Sequence, residues 1–362
     1  MSDFSVRVVR VKSVRKHPHA DTLSIADAAG FQVIFRTGDF EDGQLAVYVP
    51  ESAVVPADDP RWSHLGGKTT IGAKRLRGVF SCGLLTSAPE GTVEGEDVAS
   101  LLRITRHEDE LESDDHRRPR SQKPPIDQSE RNPGYTVVYD LLHLRHLHEH
   151  FVPGEEVVAT EKIHGESAIY LFRDGRLYVS SHTTFKKDPV KLTEELTAKG
   201  EPPASPIRCK WWEVARHYDL ELSLSHFSGL AFYGEVHGYT GGFPYGTDGH
   251  RPAFRVFDIL DTCTKQWLDH DDIVATCAMA GLPTCPMLYR GPWKPSPPDA
   301  PWALADTSLL ALAEGPSTMD PSHIREGFVI RPIRERTSPE GNRLVAKVIG
   351  EAYLEQKYRK KK

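Results

Sequence analysis

Cysteine is scarce in this chain and poorly spaced for any framework. Cys82, Cys209, Cys263, Cys277 and Cys285 are odd in number and never form a C-x-x-C pair. That argues against a disulfide scaffold or a zinc knuckle, and predicts reduced thiols in the cytoplasm. No apolar run approaches the roughly 20 residues of a membrane-spanning helix. The opening stretch "MSDFSVRVVRVKSVRKH" has neither the apolar block nor the small-residue cleavage site of a secretory signal, so export is not expected. Net positive charge is also lacking. With a formal charge of −6 over 362 residues, any nucleic-acid surface must be a local basic patch. There is no internal repeat and no H-E-x-x-H, and "GGKTT" at Gly66 to Thr70 has Trp62 where a phosphate loop needs glycine, so it reads as a surface turn. Apolar residues at 39% and charged residues at 27% indicate a folded, soluble chain too long for one core, hence two domains.

The organisation follows from pattern changes along the chain. "VRVVRVKSV", "FQVIFRTG", "GQLAVYVP" and "RLRGVFSCGLLTS" alternate at period two between glycine-containing turns, which suits a small OB-type barrel over residues 1–105. "HPHADTLSIAD" resembles the opening of tRNA-binding OB modules, where a similar turn enters a strand. Residues 106–134 are nearly devoid of apolar side chains and mix both charges with proline, as a linker does. From 135 to 362 short strands alternate with helix candidates, "PIRCKWWEVARHYDLELSLS" and "DHDDIVATCAMAGL", giving an α+β domain. "RGPWKPSPPDAPWALAD" reads as a surface excursion and "YRKKK" as a solvated basic tail. "HLRHLHEH", with His143, His146, His148 and His150, lacks a metal-ligand spacing and is expected to be a solvated segment.

"ATEKIHGESAIY" sets a lysine, Lys162, at the end of strand-like alternation, before a histidine-glycine turn. Four later stretches each combine apolar strand residues with one charged or aromatic side chain: "FYGEVHG" at Glu235, "RVFDIL" at Phe257, "REGFVIRP" at Glu326 and "LVAKVIG" at Lys347. In that order, K-x-H-G, Y-G-E, F-D-I, E-G-F-V-I-R and a lysine in a short apolar strand resemble the motifs of covalent nucleotidyltransferases, the superfamily of ATP-dependent ligases and capping enzymes. His164 narrows the resemblance, since DNA ligases and capping enzymes usually carry aspartate there and nick-sealing RNA ligases often carry histidine. An OB-type module ahead of the core is similar to the clade of RNA ligases that seal duplex nicks with RNA on the 3′-hydroxyl side.

The resemblance implies an N-terminal OB-type barrel followed by an antiparallel-sheet adenylation domain with flanking helices. It implies ATP and Mg²⁺ or Mn²⁺ as cofactors, a nucleic-acid partner and a role in RNA repair. Lys162, Glu326 and Lys347 become the catalytic residues. Glu161, Ile163, Gly165, Glu235, Phe257, Lys347 and Arg331 line the nucleotide site, with Glu235 on the ribose, Phe257 on adenine and Gly165 admitting backbone close to the nucleotide. Glu326 and Glu235 hold metal. Lys162 must attack as the neutral amine, so the site is expected to depress its pKa from about 10.4 by burial or nearby positive charge.

Two departures stand beside this pattern. The motif after the nucleophile offers His182, with Lys186 and Lys187 farther on, in place of a basic residue; the last motif has Val345 where relatives carry a second lysine. Arg331 or Lys186 is expected to supply the missing phosphate contact. Nucleic acid is expected at Lys186 and Lys187 and, on an OB face beside Phe80, at Lys74, Arg75 and Arg77. A DNA ligase and a non-catalytic OB-fold RNA- or tRNA-binding protein are the competing readings.

Overall fold

Alternation in the first 100 residues builds strands buried on both faces. In strand Leu45–Val49, Val47 and Val49 enter one cluster with Val8, Trp62 and Leu102, while Ala46 and Tyr48 enter another with Val33 and Phe35. It pairs antiparallel with Arg7–Arg10 and Leu84–Ser87, and a three-stranded sheet of Lys12–His17, Ala20–Ala28 and Phe31–Arg36 completes most of the barrel. Strands Lys74–Leu76 and Val79–Ser81 form a hairpin whose two-residue turn, Arg77–Gly78, has positive φ at both positions, the geometry a tight hairpin demands. The computed structural model describes residues 4–106, 126–238, 243–247, 251–296 and 305–359. Most of the expected linker, the middle of the proline-rich excursion and the end of the basic tail lie outside these. At the linker's ends, Thr105–Arg106 pair with Ala53–Val54 and Ser129–Glu130 with Phe185–Lys186.

The second domain packs two sheets. One has seven strands in the order Ser129–Glu130, Phe185–Lys186, Arg176–Ser180, Glu166–Arg173, Leu230–His237, Ala253–Asp261 and Gln266–Trp267, all antiparallel. The other has five, in the order Leu142–His143, Ala346–Ile349, Gly327–Pro332, Glu156–Lys162 and Met287–Pro292, and only its first pair is parallel. Six α-helices occur among the described residues: α1 (Pro189–Ala198), α2 (Lys210–His217), α3 (Leu220–Ser225), α4 (His270–Ala280), α5 (Thr307–Leu310) and α6 (Glu351–Arg359). The single helix expected over 206–225 is split into α2 and α3 by Asp219, which adopts the left-handed conformation.

Period-two alternation again assigns the faces. Ala168 and Tyr170 lie in the core beneath α2, α3 and α4, whereas Ile169 and Leu171 turn to the opposite cluster with Tyr178 and Tyr233. The histidine-rich segment corrects the expectation of a solvated stretch. Leu144 and Leu147 are fully buried in the core of the five-stranded sheet, His143 is buried, Arg145, His148 and His150 are half-buried, and only His146 and Glu149 are exposed. No group of three or more His, Cys, Asp or Glu side chains poised for a metal ion occurs among the described residues.

Candidate nucleotidyl-transfer site

Strand pairing assembles the site between the two sheets. Glu156–Lys162 ends with Lys162 opposite Gly327, which brings Glu326, one residue earlier, against the lysine. Val329 pairs with Lys347 on the next strand, and Ser167 pairs with Glu235 on the facing sheet. A cleft opens between them, lined by Glu161, Lys162, Ile163, Glu235, Phe257, Arg331 and Lys347, with Tyr139, His182 and Cys285. Five stretches separated by up to nearly two hundred residues therefore converge on one cleft.

Lys162 Nζ lies 2.8 Å from Glu326 Oε1. Burial alone would lower the lysine's pKa, but Glu326 and then Glu235 outweigh it and hold the amine above its ordinary value. This corrects the expectation of a depressed pKa: the resting nucleophile is an ammonium locked to a carboxylate. Burial pushes the Glu235 carboxyl up to about 8; Lys162 opposes that shift and Glu326 adds to it. At neutral pH the empty cleft favours the protonated form of Glu235, which suits hydrogen bonding to a hydroxyl.

Glu161 is 1% exposed. One of its carboxylate oxygens accepts from the Thr318 amide at 2.8 Å and from the Thr318 hydroxyl at 2.5 Å, and the other, Oε1, has no hydrogen-bond partner. An orphaned buried acceptor on a cleft wall is a place for a ligand's donor. Phe257 also lines the cleft, braced by the Tyr139 ring at 4.9 Å.

A Cβ at Gly165 would stand 2.2 Å from the Val236 carbonyl oxygen and 3.0 Å from Glu235 Cγ, so glycine is required for the close approach of the neighbouring strand. Arg331 lines the cleft, yet its guanidinium is committed to Asp258 at 3.1 Å and Glu335 at 3.0 Å, which corrects its assignment as a phosphate ligand. Lys186 does not line the cleft; its ammonium sits 4.9 Å over the Trp211 ring. His182 does, with Nε2 hydrogen-bonded to the Tyr139 carbonyl at 3.1 Å and lying 3.4 Å from Asp140 Oδ1. Val345 is buried and apolar, so it provides no substitute for the second lysine.

On the OB domain, Lys74 and Arg77 are exposed on the hairpin, but Arg75 is engaged with Glu351 and Glu355 of α6. That removes Arg75 from the expected nucleic-acid patch. Lys187 is half-buried at the end of the strand next to the sheet's outermost one. The sequence reading missed Thr318, Tyr139, Tyr245 and Tyr353. Tyr245 accepts from the His164 amide at 2.6 Å, and the Tyr353 hydroxyl is 2.8 Å from His164 Nδ1. None sits in a motif; only the aromatic positions in "EAYLEQKY", directly after the Lys347 strand, hint at such a role.

The RNA ligase family model matches residues 155–349, more than half of the chain and the whole cleft-forming core. The chain belongs to the RNA ligase family. An OB-fold domain model matches residues 5–87 of this RNA ligase family member. No curated protein matches it. Among solved structures, Naegleria gruberi RNA ligase with PPi is 21% identical, with a TM-score of 0.73 over 98% of both chains. A mutant of the same ligase with ATP and Mn is 20% identical, with a TM-score of 0.74 over 98% of this chain and 99% of that one. A further mutant with AMP and Mn gives 0.73 at 20% identity, over 97% and 98%. These likenesses show that the chain shares the fold of that ligase over nearly its whole length.

Proposed function

We propose that this family member is an ATP-dependent RNA ligase that joins a 5′-phosphate to a 3′-hydroxyl at breaks or nicks in RNA, through a lysyl–AMP intermediate on Lys162. The observation that carries this reading is the Lys162 amine, 2.8 Å from Glu326 at a cleft that is also lined by Glu235, Phe257 and Lys347. The relatives with ATP and Mn, AMP and Mn, and PPi support it.

In the first step Lys162 Nζ attacks the α-phosphorus, a nitrogen–phosphorus bond forms and pyrophosphate leaves. The amine must first lose its proton, and the geometry makes Glu326 the group whose charge prevents that. A divalent ion, when bound, supplies charge neutralisation, and Mg²⁺ is typically held by one or two carboxylates plus phosphate oxygens, which fits Glu326 in the absence of a cage of three protein ligands among the described residues. Glu161 Oε1 meets the exocyclic amine of adenine, Phe257 offers the ring face, Glu235 hydrogen-bonds the ribose, Ile163 packs behind the base and Lys347 faces the phosphates. In the second step a 5′-phosphate oxygen displaces the lysine, and in the third a 3′-hydroxyl displaces AMP. The OB domain grips the nucleic acid, and Lys186 and Lys187 extend that grip along the rim. Five free cysteines agree with a cytoplasmic setting.

The test is incubation with α-labelled ATP and Mg²⁺ or Mn²⁺. A covalent adenylate is expected, and it disappears in Lys162→Ala. Absence of label from the unmodified chain overturns the reading in favour of a non-catalytic RNA binder. Sealing of nicked duplexes with ribose or deoxyribose at the 3′-hydroxyl then separates an RNA ligase from a DNA ligase, because equal sealing of both would remove the RNA assignment.

A further inference from the structure

Helix α6 follows the Lys347 strand and stands between the OB domain and the catalytic carboxylate. Its first contact is backbone: the Gly350 amide donates to the Glu326 carbonyl at 2.9 Å. Consecutive residues then face opposite ways. Tyr353 is buried toward the cleft, in a cluster with Ile163, Phe243 and Tyr245, with its hydroxyl 2.8 Å from His164 Nδ1. His164 Nδ1 is in turn 3.8 Å from Glu326 Oε2, the carboxylate that pairs with Lys162. Leu354 is buried the other way, against Ala73, Phe80 and Cys82 of the OB domain, and Ile349 packs against both clusters.

The OB domain also holds the helix by charge. Arg75 reaches Glu355 at 2.7 Å and Glu351 at 3.2 Å, spanning one helical turn. Arg75 and Glu351 are 41% and 52% exposed but Glu355 is only 15% exposed, so the Glu355 arm is the firmer one and the fork sets the helix's position along the OB surface.

We propose that α6 transmits OB-domain docking to the nucleophile's turn, with Tyr353 as a positioning residue for His164 and the Arg75 fork setting the helix register. Arg75 holds Glu351 and Glu355 on one side of α6, and on the same helix Tyr353 reaches His164, which stands 3.8 Å from Glu326, so the helix itself links the two sets of contacts. Reactions at phosphorus demand in-line placement, and misplacement of about 1 Å costs on the order of a hundredfold in rate. The OB domain thereby acts on the adenylylation step itself, before any nucleic acid is present. The proposal rests on the ligase reading above, and its failure is separable, because the unmodified chain reports on that reading by itself.

The experiment measures single-turnover lysyl–AMP formation against ATP concentration, with thermal unfolding in parallel. Tyr353→Phe keeps the packed ring and deletes only the hydroxyl; it is expected to slow the maximal rate about tenfold or more, with half-saturating ATP and melting temperature nearly unchanged. Arg75→Glu, which sets three carboxylates together, is expected to slow the same rate, and adding Glu355→Arg to restore it. A purely structural contact would move the melting temperature and leave the rate alone. Wild-type rates in folded Tyr353→Phe or Arg75→Glu, or failure of the charge swap to recover a slowed rate, overturn the proposal. A wild-type chain that forms no adenylate overturns the ligase reading instead.

Discussion

Lys162 is held as an ammonium by Glu326, and Glu235 is held neutral by burial beside that same carboxylate. The two residues share one local field, and each protonation state depends on what enters the cleft. For Glu235 the consequence is measurable without substrate. Its folded pKa of about 8 lies above its ordinary 4.5, so above pH 4.5 the unfolded chain binds fewer protons than the folded one. Stability is therefore lost as pH rises from about 4.5 to about 8, and the loss levels off beyond that. Glu235→Gln, a neutral isostere, escapes it. Urea denaturation at pH 5, 7 and 8.5 is expected to show the variant gaining on the parent with each step up to pH 8; a constant difference would place the ionised carboxylate in the resting fold. Adenylylation at neutral pH is expected to survive in Gln better than in Ala, since the amide still hydrogen-bonds. The identity of these two residues was legible in the sequence because each stood in an ordered motif. Their charge states were not, because they depend on side chains more than 60 residues away along the chain. Arg75 failed for the same reason: "KRLRG" displays its cations but not the glutamates almost three hundred residues on that claim one of them.

At the level of elements, the strand Gly327–Pro332 sets the geometry of the candidate site, because it places Glu326 beside Lys162 on one edge and Val329 beside Lys347 on the other. Gly327 makes that crossing possible: a Cβ there would lie 2.0 Å from the Val348 carbonyl oxygen, and its φ of 154° departs from ordinary strand values. Gly327→Ala must separate the two strands or shift Glu326. It is expected to cost about 3 kcal/mol of stability and to lower adenylylation even where the protein is folded, checked by urea denaturation and by labelling at low temperature. Full stability would show that the strands have slack here. Elements with clean alternation, such as "GQLAVYVP" and "FQVIFRTG", were readable as strands because both faces must find apolar partners. The turn of backbone at Asp219 was not, since an aspartate at a left-handed position looks like any polar residue in a helix pattern. "HLRHLHEH" misled by its histidines. The three-residue spacing of Leu144 and Leu147 was the signal of burial.

At the scale of the whole molecule, a chain of net charge −6 must hold a polyanion through a small number of local cations. Arg75 and Arg331 are already occupied by carboxylates, which leaves Lys74 and Arg77 on the OB hairpin and Lys186 and Lys187 on the edge of the adenylation domain as the expected grip. Each phosphate contact releases a condensed counterion, so the logarithm of RNA affinity falls linearly with the logarithm of salt, with a slope of roughly 0.7 to 0.9 per contact. Lys186→Ala with Lys187→Ala is expected to weaken binding of a nicked RNA duplex uniformly across sequences and to flatten that slope by about 2, leaving lysyl–AMP formation in the absence of RNA near the parent rate. Fluorescence anisotropy from 50 to 300 mM salt reads both quantities. A slope equal to the parent's would mean that these lysines make no phosphate contact and that the strand is held elsewhere, with the exposed OB hairpin the next surface to alter. A flattened slope accompanied by lost adenylylation would instead tie the strand carrying Lys186 to the cleft through its pairing with the strand that ends at Ser180, two residues before His182.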